Sequence, residues 1–333
     1  MESGGETPTF DRVMDRVVVS HRWMGERLEE VLRRAPDDLL RALGAISAIV
    51  IDADVRPSFY WPLTGALYLD ARHFWITEEE EATVTRIADY RSGFGDGLGF
   101  RPFSLYRLDG AGAFGSGEAP RPLPGRIRAV SGLLFHEAAH ANDFLPPRRR
   151  TGLDPGATWE EALEEYAEDR LSVRLARVLP LESPVWKKLG GVLYRGDSPP
   201  RDLRALDARQ AGAAFESDGA SDPYAYSAPE EDLAMLFEEL MLSMHLGLER
   251  RVGFFDIGSD EGTTCFDIEI GWAVDGRIGT PAVGGRAALV AQWILGRDFS
   301  EVVEALDPPS ILPPGTTPCA EHPIESAASV PWS

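Results

Sequence analysis

The chain has 333 residues, which suits one large domain or two ordinary ones, and it has enough apolar residues for a packed core. Lys and Arg number 33 against 54 Asp and Glu, so the formal net charge is −21. This charge argues against nucleic acid and against an anionic membrane surface, because both would repel it, and it weakly favours basic peptides. No run of about 18 apolar residues is present, so we expect no transmembrane segment.

The first eight residues are mostly small or polar and show no signal-peptide pattern. Such a start suits a cell-envelope or secreted protein whose signal has been removed, which we favour, or a cytoplasmic protein. The two cysteines, Cys265 and Cys319, do not form a Cys-x-x-Cys motif. Their even number permits one disulfide, and two unrelated thiols fit the sequence equally well.

The first third of the chain is predicted to combine helices with short buried strands. Apolar spacing and turn residues predict helices over 10–45, broken at Pro36, and over 77–90, with strands over 48–51, 66–69 and 103–108. Thr77 and Glu80 fit a capping box at the start of the second helical segment. The glycines between 93 and 99 predict a flexible loop or hairpin, because no buried strand leads into a phosphate-binding turn there and no helix follows it.

A long helix is predicted over about 125–144, and it carries the sequence His136-Glu137-Ala138-Ala139-His140. Residues i and i+4 of a helix lie one above the other, about 6 Å apart along the axis, so both histidines can face one metal ion. Glu137 lies about 100° further round the helix, within reach of a water on that metal. The competing interpretation is a chance occurrence of this short motif on a solvated helix.

Catalytic zinc usually has three protein ligands, and the remaining histidines occupy unpromising positions, so we expect a carboxylate as the third ligand. Glu231 is the first candidate. Its predicted helix starts at a capping box of Ser227 and Glu230, stops near Gly247 and is apolar over much of its circumference. A carboxylate on a buried helix needs a charged partner or a metal. The alternative is a first-turn carboxylate that is favoured only by the helix dipole.

Glu161 is the second candidate for the third ligand. It lies about twenty residues beyond His140, near the start of an acidic helix predicted over 159–179. We rank it behind Glu231 because the dense Glu and Arg content of this helix suits a solvated face. Asn142 and Asp143, close to His140 on the central helix, are candidates for orienting a ligand imidazole, and helix termination explains them equally well.

The histidine motif and a downstream helical glutamate resemble the gluzincin metallopeptidases. Tyr224 lies seven residues before Glu231, and this segment is similar to the third-ligand segment of the anthrax lethal factor catalytic domain. Glu161-Ala162 resembles the corresponding segment of the thermolysin-type branch, except that Glu165 stands where that branch has an aspartate.

The resemblance implies a zinc endopeptidase that acts on a peptide or protein substrate. Zn²⁺ would be held by His136, His140 and Glu231. Glu137 would act as the general base, and Tyr224 would stabilise the oxyanion, or Tyr226 if the register is shifted by two residues. The alternative is a metal-binding or interaction protein that retains the motif helix without catalysis.

The implied fold is α+β and mainly helical, a zincin-like core with a small mixed sheet packed on the motif helix. An edge strand of that sheet, over 66–69 or 103–108, would pair with the extended substrate. Further on, a strand is predicted over 264–270, a turn at Asp275-Gly276 and a helix over 281–295. We divide the chain into N-terminal helices and sheet (1–120), a metal-binding helical region (121–250) and a C-terminal extension with a proline-rich tail (251–333), and expect one continuous catalytic domain.

Overall fold

The computed structural model describes residues 7–114, 119–150, 156, 158–257, 269–313 and 315–316. The fold is α+β, with helices predominating over two small sheets. The helices are α1 Phe10–Met14, α2 Arg22–Leu32, α3 Asp37–Ala42, α4 Glu78–Glu81, α5 Leu123–Phe144, α6 Pro147–Arg150, α7 Trp159–Glu165, α8 Leu171–Val178, α9 Pro184–Tyr194, α10 Arg201–Arg204, α11 Ala208–Glu216, α12 Pro229–Leu246, α13 Pro281–Leu295 and α14 Ser300–Glu304. The strands are β1 Val17–Val19, β2 Ile49–Asp52, β3 Phe59–Trp61, β4 Ala66–Asp70, β5 Phe100–Leu108, β6 Ala111–Gly112, β7 Glu249–Asp256, β8 Ile270–Asp275 and β9 Ser310–Ile311.

The first sheet has the strand order β1-β2-β4-β3. β1, β2 and β4 are parallel, and β3 pairs antiparallel with β4 at the edge. The strand predicted over 66–69 is confirmed as β4, but it lies between β2 and β3. The suggestion that it is an edge strand is therefore wrong, because both of its backbone edges are already paired. The edge position beside it belongs to β3.

β1 interrupts the region that was predicted to be helical over 10–45. Its three β-branched valines pair in parallel with residues 49–51 of β2. The apolar spacing of this stretch suits a helix as well as a strand, and the partner that decides the outcome lies more than thirty residues away in sequence.

The second sheet has the order β6-β5-β7-β8-β9 and is antiparallel throughout. β5 pairs with β7 along almost its whole length, and Tyr106 stands directly opposite Arg250 in this register. β7 has no counterpart among the predicted strands. The pairing of β7 with β5 places the buried Arg250 against Glu238 and Glu239 in the middle of α12, which matters for the site described below.

α5 and α12 pack against each other and form the centre of the core. Phe135 and Phe237 meet edge to face across the contact, with ring centroids 5.9 Å apart. A Cβ on Gly132 would lie 3.1 Å from Leu242 Cδ1, so a residue without a side chain allows the two helices to approach this closely. The main buried cluster extends from Val13 to Phe299, so it draws on all three predicted regions.

Two predicted helices are shorter than expected. The capping box of Thr77 and Glu80 is present, but α4 lasts a single turn. The chain then turns back towards β2, where the Thr85 amide donates to the Ala53 carbonyl and Arg56 donates to the Thr85 carbonyl. These bonds to a distant segment replace the next helical turn.

The helix predicted over 159–179 is divided into α7, a 3₁₀ turn at Ala167–Asp169 and α8. The Asp143 carboxylate accepts hydrogen bonds from the Ser172 amide and hydroxyl, both at 2.7 Å, and so caps the start of α8. A cap supplied by another helix cannot be recognised from the local sequence. This explains why the break was missed.

The predicted cap of α12 is wrong, although its first-turn proline and its stop are confirmed. Ala228 is the N-cap without a side-chain hydrogen bond, because Ser227 still belongs to the preceding 3₁₀ turn. α12 ends at Gly247, where φ is 62°. The turn at Asp275-Gly276 and the helix over 281–295 are also confirmed.

Two expectations concern residues beyond the described ranges. Residues 264–268 of the predicted strand lie outside them, and β8 begins at Ile270. Cys265 and Cys319 also lie outside, so the structure does not choose between a disulfide and two unrelated thiols. Among the described helices, none is long and apolar enough to cross a membrane.

Candidate metal centre

The three predicted metal ligands come together where the first turn of α12 crosses α5. His136 Nε2 lies 3.2 Å from His140 Nε2. Glu231 Oε2 lies 3.0 Å from His136 Nε2 and 3.4 Å from His140 Nε2. The i, i+4 spacing places the two imidazoles on one face of α5, where they meet edge to face, and Glu231 reaches that face from the neighbouring helix.

These separations match the geometry of a shared tetrahedral ion. With bonds of about 2.05 Å from zinc to nitrogen or oxygen, ligand atoms at the corners of a tetrahedron are about 3.3 Å apart. The three observed distances, 3.0, 3.2 and 3.4 Å, lie around this value. Within the described part of the chain, this is the one group of His, Asp, Glu or Cys side chains found with spacing suitable for a metal.

The rival third ligand does not reach the site. Glu161 is exposed, and its carboxylate accepts hydrogen bonds from the amide and hydroxyl of Thr158 at the start of α7. It therefore lies exposed, as the solvated-face interpretation of this helix predicted, and it takes part in a helix cap that was not predicted. The structure places Glu231, and not Glu161, beside the two histidines.

Glu137 is buried next to the three ligands, with 4% of its surface exposed. Burial raises the pKa of Glu137, and the neighbouring His136 and His140 only partly oppose this rise. Its Oε2 atom is buried and has no hydrogen-bond partner among the described residues. A buried carboxylate oxygen without a donor is costly, so this atom suits a role in which it accepts a proton or a hydrogen bond from a water molecule at the centre.

Tyr224, and not Tyr226, lies at the site. The Tyr224 hydroxyl is 3.4 Å from Glu231 Oε1 and donates to it. Tyr226 belongs to the core instead, where its ring packs against Trp186 and its hydroxyl donates to Asp218 at 2.7 Å.

Arg91, from the glycine-rich loop, also reaches Tyr224. Its Nη1 atom donates to the Tyr224 hydroxyl oxygen at 3.3 Å, while Asp89 holds the same guanidinium through Nη2 at 2.7 Å. Because arginine has donors only, the phenol oxygen must accept from it. The single hydroxyl proton of Tyr224 is then free to point towards the ligand cluster.

Glu238 orients one of the two histidines. Its Oε2 atom lies 3.1 Å from His136 Nδ1. When Nδ1 carries the proton and donates to Glu238, the Nε2 lone pair is free for a metal. Glu238 follows Glu231 by seven residues, almost two full turns, so both lie on the same face of α12. The sequence signal for Glu238 was therefore available but was not used.

Asn142 and Asp143 were the residues considered for that orienting role. Asp143 caps α8, as described above. The Asn142 amide donates to the Ala42 and Ala138 carbonyls, and its oxygen accepts from Arg150. Neither side chain hydrogen-bonds a ligand imidazole in the described structure.

The electrostatics of the cluster favour a positive charge at the shared point. Burial lowers the pKa of His136, but Glu231 and Glu238 outweigh it and raise that pKa well above its usual value. The pKa of His140 is also raised, since Glu231 more than offsets its burial. The pKa of Glu231 is lowered by the two histidines despite its own burial. Carboxylates and imidazoles with these shifts stabilise a cation between them.

The chain was compared with models of known protein families, with curated proteins and with solved structures, and no match was found.

Proposed function

We propose that this protein is a zinc-dependent peptidase in which His136, His140 and Glu231 hold the ion. The observation that carries the proposal is the set of three ligand-atom separations between 3.0 and 3.4 Å, next to the buried carboxylate of Glu137. Two imidazoles and one carboxylate are a common donor set for catalytic zinc. The lone pair on His136 Nε2, which Glu238 makes available through Nδ1, also suits this role.

A bound zinc ion would supply Lewis acidity and bring the pKa of a water molecule towards about 7. Glu137 then accepts a proton from that water and delivers it to the leaving amine. Burial raises the pKa of Glu137 above that of an exposed glutamate, and a higher pKa makes the carboxylate a stronger base for the first step. The Tyr224 hydroxyl donates to the developing oxyanion, and Arg91 keeps its proton pointing inward.

The gluzincin relationship and the zincin-like core are part of this proposal. In place of the two strands suggested from the sequence, we propose β3 as the strand that pairs with an extended peptide. It is the antiparallel edge of the first sheet, and its Tyr60 packs against Phe144 near the end of the motif helix, with ring centroids 5.8 Å apart. Phe59 and Trp61 are exposed on the same strand and offer apolar contacts to a substrate.

A metal site without catalysis is the alternative. A structural zinc site is usually closed by four protein ligands, whereas the described residues here supply three. A structural site also has no use for a buried carboxylate such as Glu137 beside it. Both features favour the enzyme.

The test combines zinc analysis with cleavage of a peptide library by the purified full chain. We expect one zinc per chain and measurable cleavage by the wild type. Glu137→Gln should keep its zinc and lose cleavage by about 10²–10⁴-fold, because only proton transfer is removed. Glu161→Gln is the matched control and should retain both zinc and activity. Absence of stoichiometric zinc, or cleavage by Glu137→Gln at the wild-type rate, would overturn the proposal.

A further inference from the structure

Arg250 is buried next to the candidate centre without touching the proposed ligands themselves. It lies on β7, and only 1% of its surface is exposed. Its guanidinium reaches Glu238 through Nη2 at 3.0 Å and Asp222 through Nη1 at 3.4 Å. It also donates to the hydroxyl of Tyr106, its partner across the strands, and lies 3.5 Å from the carboxylate of Glu239. One cation is thus shared among three buried carboxylates.

Two of these carboxylates lead directly to functional residues. Glu238 binds Arg250 through Oε1 and His136 through Oε2. Asp222 faces Arg250 through Oδ2 and accepts the backbone amide of Tyr224 through Oδ1 at 2.8 Å. A single side chain thus lies between Arg250 and His136, and a single side chain lies between Arg250 and Tyr224. The same guanidinium therefore contacts the carboxylate that orients a proposed metal ligand and the carboxylate that holds the backbone of the proposed oxyanion donor.

We propose that Arg250 is the positioning residue of this centre, holding His136 through Glu238 and Tyr224 through Asp222; this role rests on the proposed zinc peptidase function. The planar guanidinium keeps its nitrogens at fixed positions, so it can hydrogen-bond Glu238 through Nη2 while Nη1 attracts Asp222 as an ion pair. Without it, Glu238 and Asp222 would lose their shared cationic partner and would no longer be held in place. A displaced Glu238 no longer fixes the His136 ring.

A buried ion pair with a purely structural role is the competing explanation, and the neighbouring residue provides a matched control. Arg251 is also buried, with 4% exposed, and it pairs with Asp275 at 2.6 and 2.7 Å. Successive side chains of a strand point to opposite faces, so Arg251 faces away from the centre. Substituting either arginine removes a buried guanidinium. Asp275 keeps Arg107 as a second partner, and among the described contacts Arg250 is the arginine of this pair that reaches the carboxylates next to the site.

The experiment uses the full-length wild type, Arg250→Met, Arg250→Lys and Arg251→Met. Zinc affinity is measured by competition with a chelator, peptide cleavage as kcat and KM, and stability by urea unfolding. We expect Arg250→Met to bind zinc about 10–100-fold more weakly, the usual effect of losing a group that orients a metal ligand, and to lower kcat more than KM. Arg250→Lys should recover part of the affinity, because it restores the charge but not the planar guanidinium that hydrogen-bonds Glu238 and faces Asp222 at the same time. Arg251→Met should lose less stability, because Asp275 keeps its pair with Arg107, and should keep its zinc affinity within about twofold.

Equal zinc affinity of Arg250→Met and Arg251→Met would overturn the proposal. If Arg250→Met does not fold, the two routes are tested separately. Glu238→Gln should weaken zinc binding, whereas Asp222→Asn should lower kcat with zinc affinity unchanged, and a failure of this division would equally contradict the role of Arg250. If the wild type binds zinc but cleaves no peptide, the proposed function is overturned. The role of Arg250 is then still decided by comparing the zinc affinities of Arg250→Met and Arg251→Met.

Discussion

Glu239 provides a stability prediction that depends on pH. It is fully buried on α12, and neither of its carboxylate oxygens has a hydrogen-bond partner among the described residues. Its nearest cation is Arg250, which also serves Glu238 and Asp222. Burial raises the pKa of Glu239 to about 7; Arg250 opposes this rise, and the two neighbouring carboxylates add to it.

The sign of the effect follows from the raised pKa. In the unfolded chain the pKa of Glu239 is near its ordinary value of about 4.5, so the unfolded state loses its proton first as the pH rises. The stability contributed by the protonated carboxyl is complete below about pH 4.5 and is lost as the pH rises through about 7. With these two pKa values, the loss between pH 5 and pH 8 is about 2.5 kcal/mol.

Glu239→Gln should remove this loss, because an amide does not titrate. We expect the free energy of unfolding of the variant, relative to wild type, to rise by about 2.5 kcal/mol between pH 5 and pH 8. Urea unfolding at both pH values, with a chelator present to exclude a metal contribution, measures the difference. Glu164→Gln, at an exposed position on α7, should show no such change. Identical pH dependence in wild type and Glu239→Gln would refute the reasoning.

Three further predictions concern the site and the helix contact beneath it. Tyr224→Phe should lower kcat by about 10²–10³-fold with zinc retained, whereas Tyr226→Phe should cost about 1 kcal/mol of stability and leave kcat unchanged; assays of both variants compare the two roles. Arg91→Met should lower kcat by less than Tyr224→Phe does. In the double mutant it should lower kcat little further, because Arg91 acts through the Tyr224 hydroxyl. Fully additive effects of the two substitutions on kcat would contradict this coupling. Gly132→Ala should destabilise the fold by about 1–3 kcal/mol in urea and weaken zinc binding, because its Cβ would press on Leu242 and move α12. Unchanged zinc affinity in Gly132→Ala would show that the helix contact does not set the ligand geometry.

The parts of the site that the sequence predicted correctly depend on local spacing. His136 and His140 share a face of α5 because of the helical repeat alone. Glu231 was selected because an ionised group on an apolar helix needs a partner, and the same reasoning would have identified Glu238 two turns later. Glu161 could be ranked second because its neighbours in sequence already suggested a solvated face.

The remaining parts depend on contacts between distant segments. Arg250 meets Tyr106 through the pairing of β5 with β7, across 144 positions of sequence. Arg91 meets Tyr224 across 133 positions, from a loop that is described locally only by its glycines. β1 forms a strand because β2 lies beside it, although its valines also fit a helical repeat. None of these pairings leaves a pattern in a single sequence that identifies the partner.

The position of zinc in a crystal of the zinc-loaded full chain, located by anomalous scattering at the zinc absorption edge, tests the proposed centre most directly. We expect a single protein-bound ion about 2.0–2.2 Å from His136 Nε2, His140 Nε2 and one carboxylate oxygen of Glu231, with Glu137 beside it and not bound to it. Zinc bound elsewhere, zinc ligated by Glu161 in place of Glu231, or a chain that takes up no zinc would contradict it.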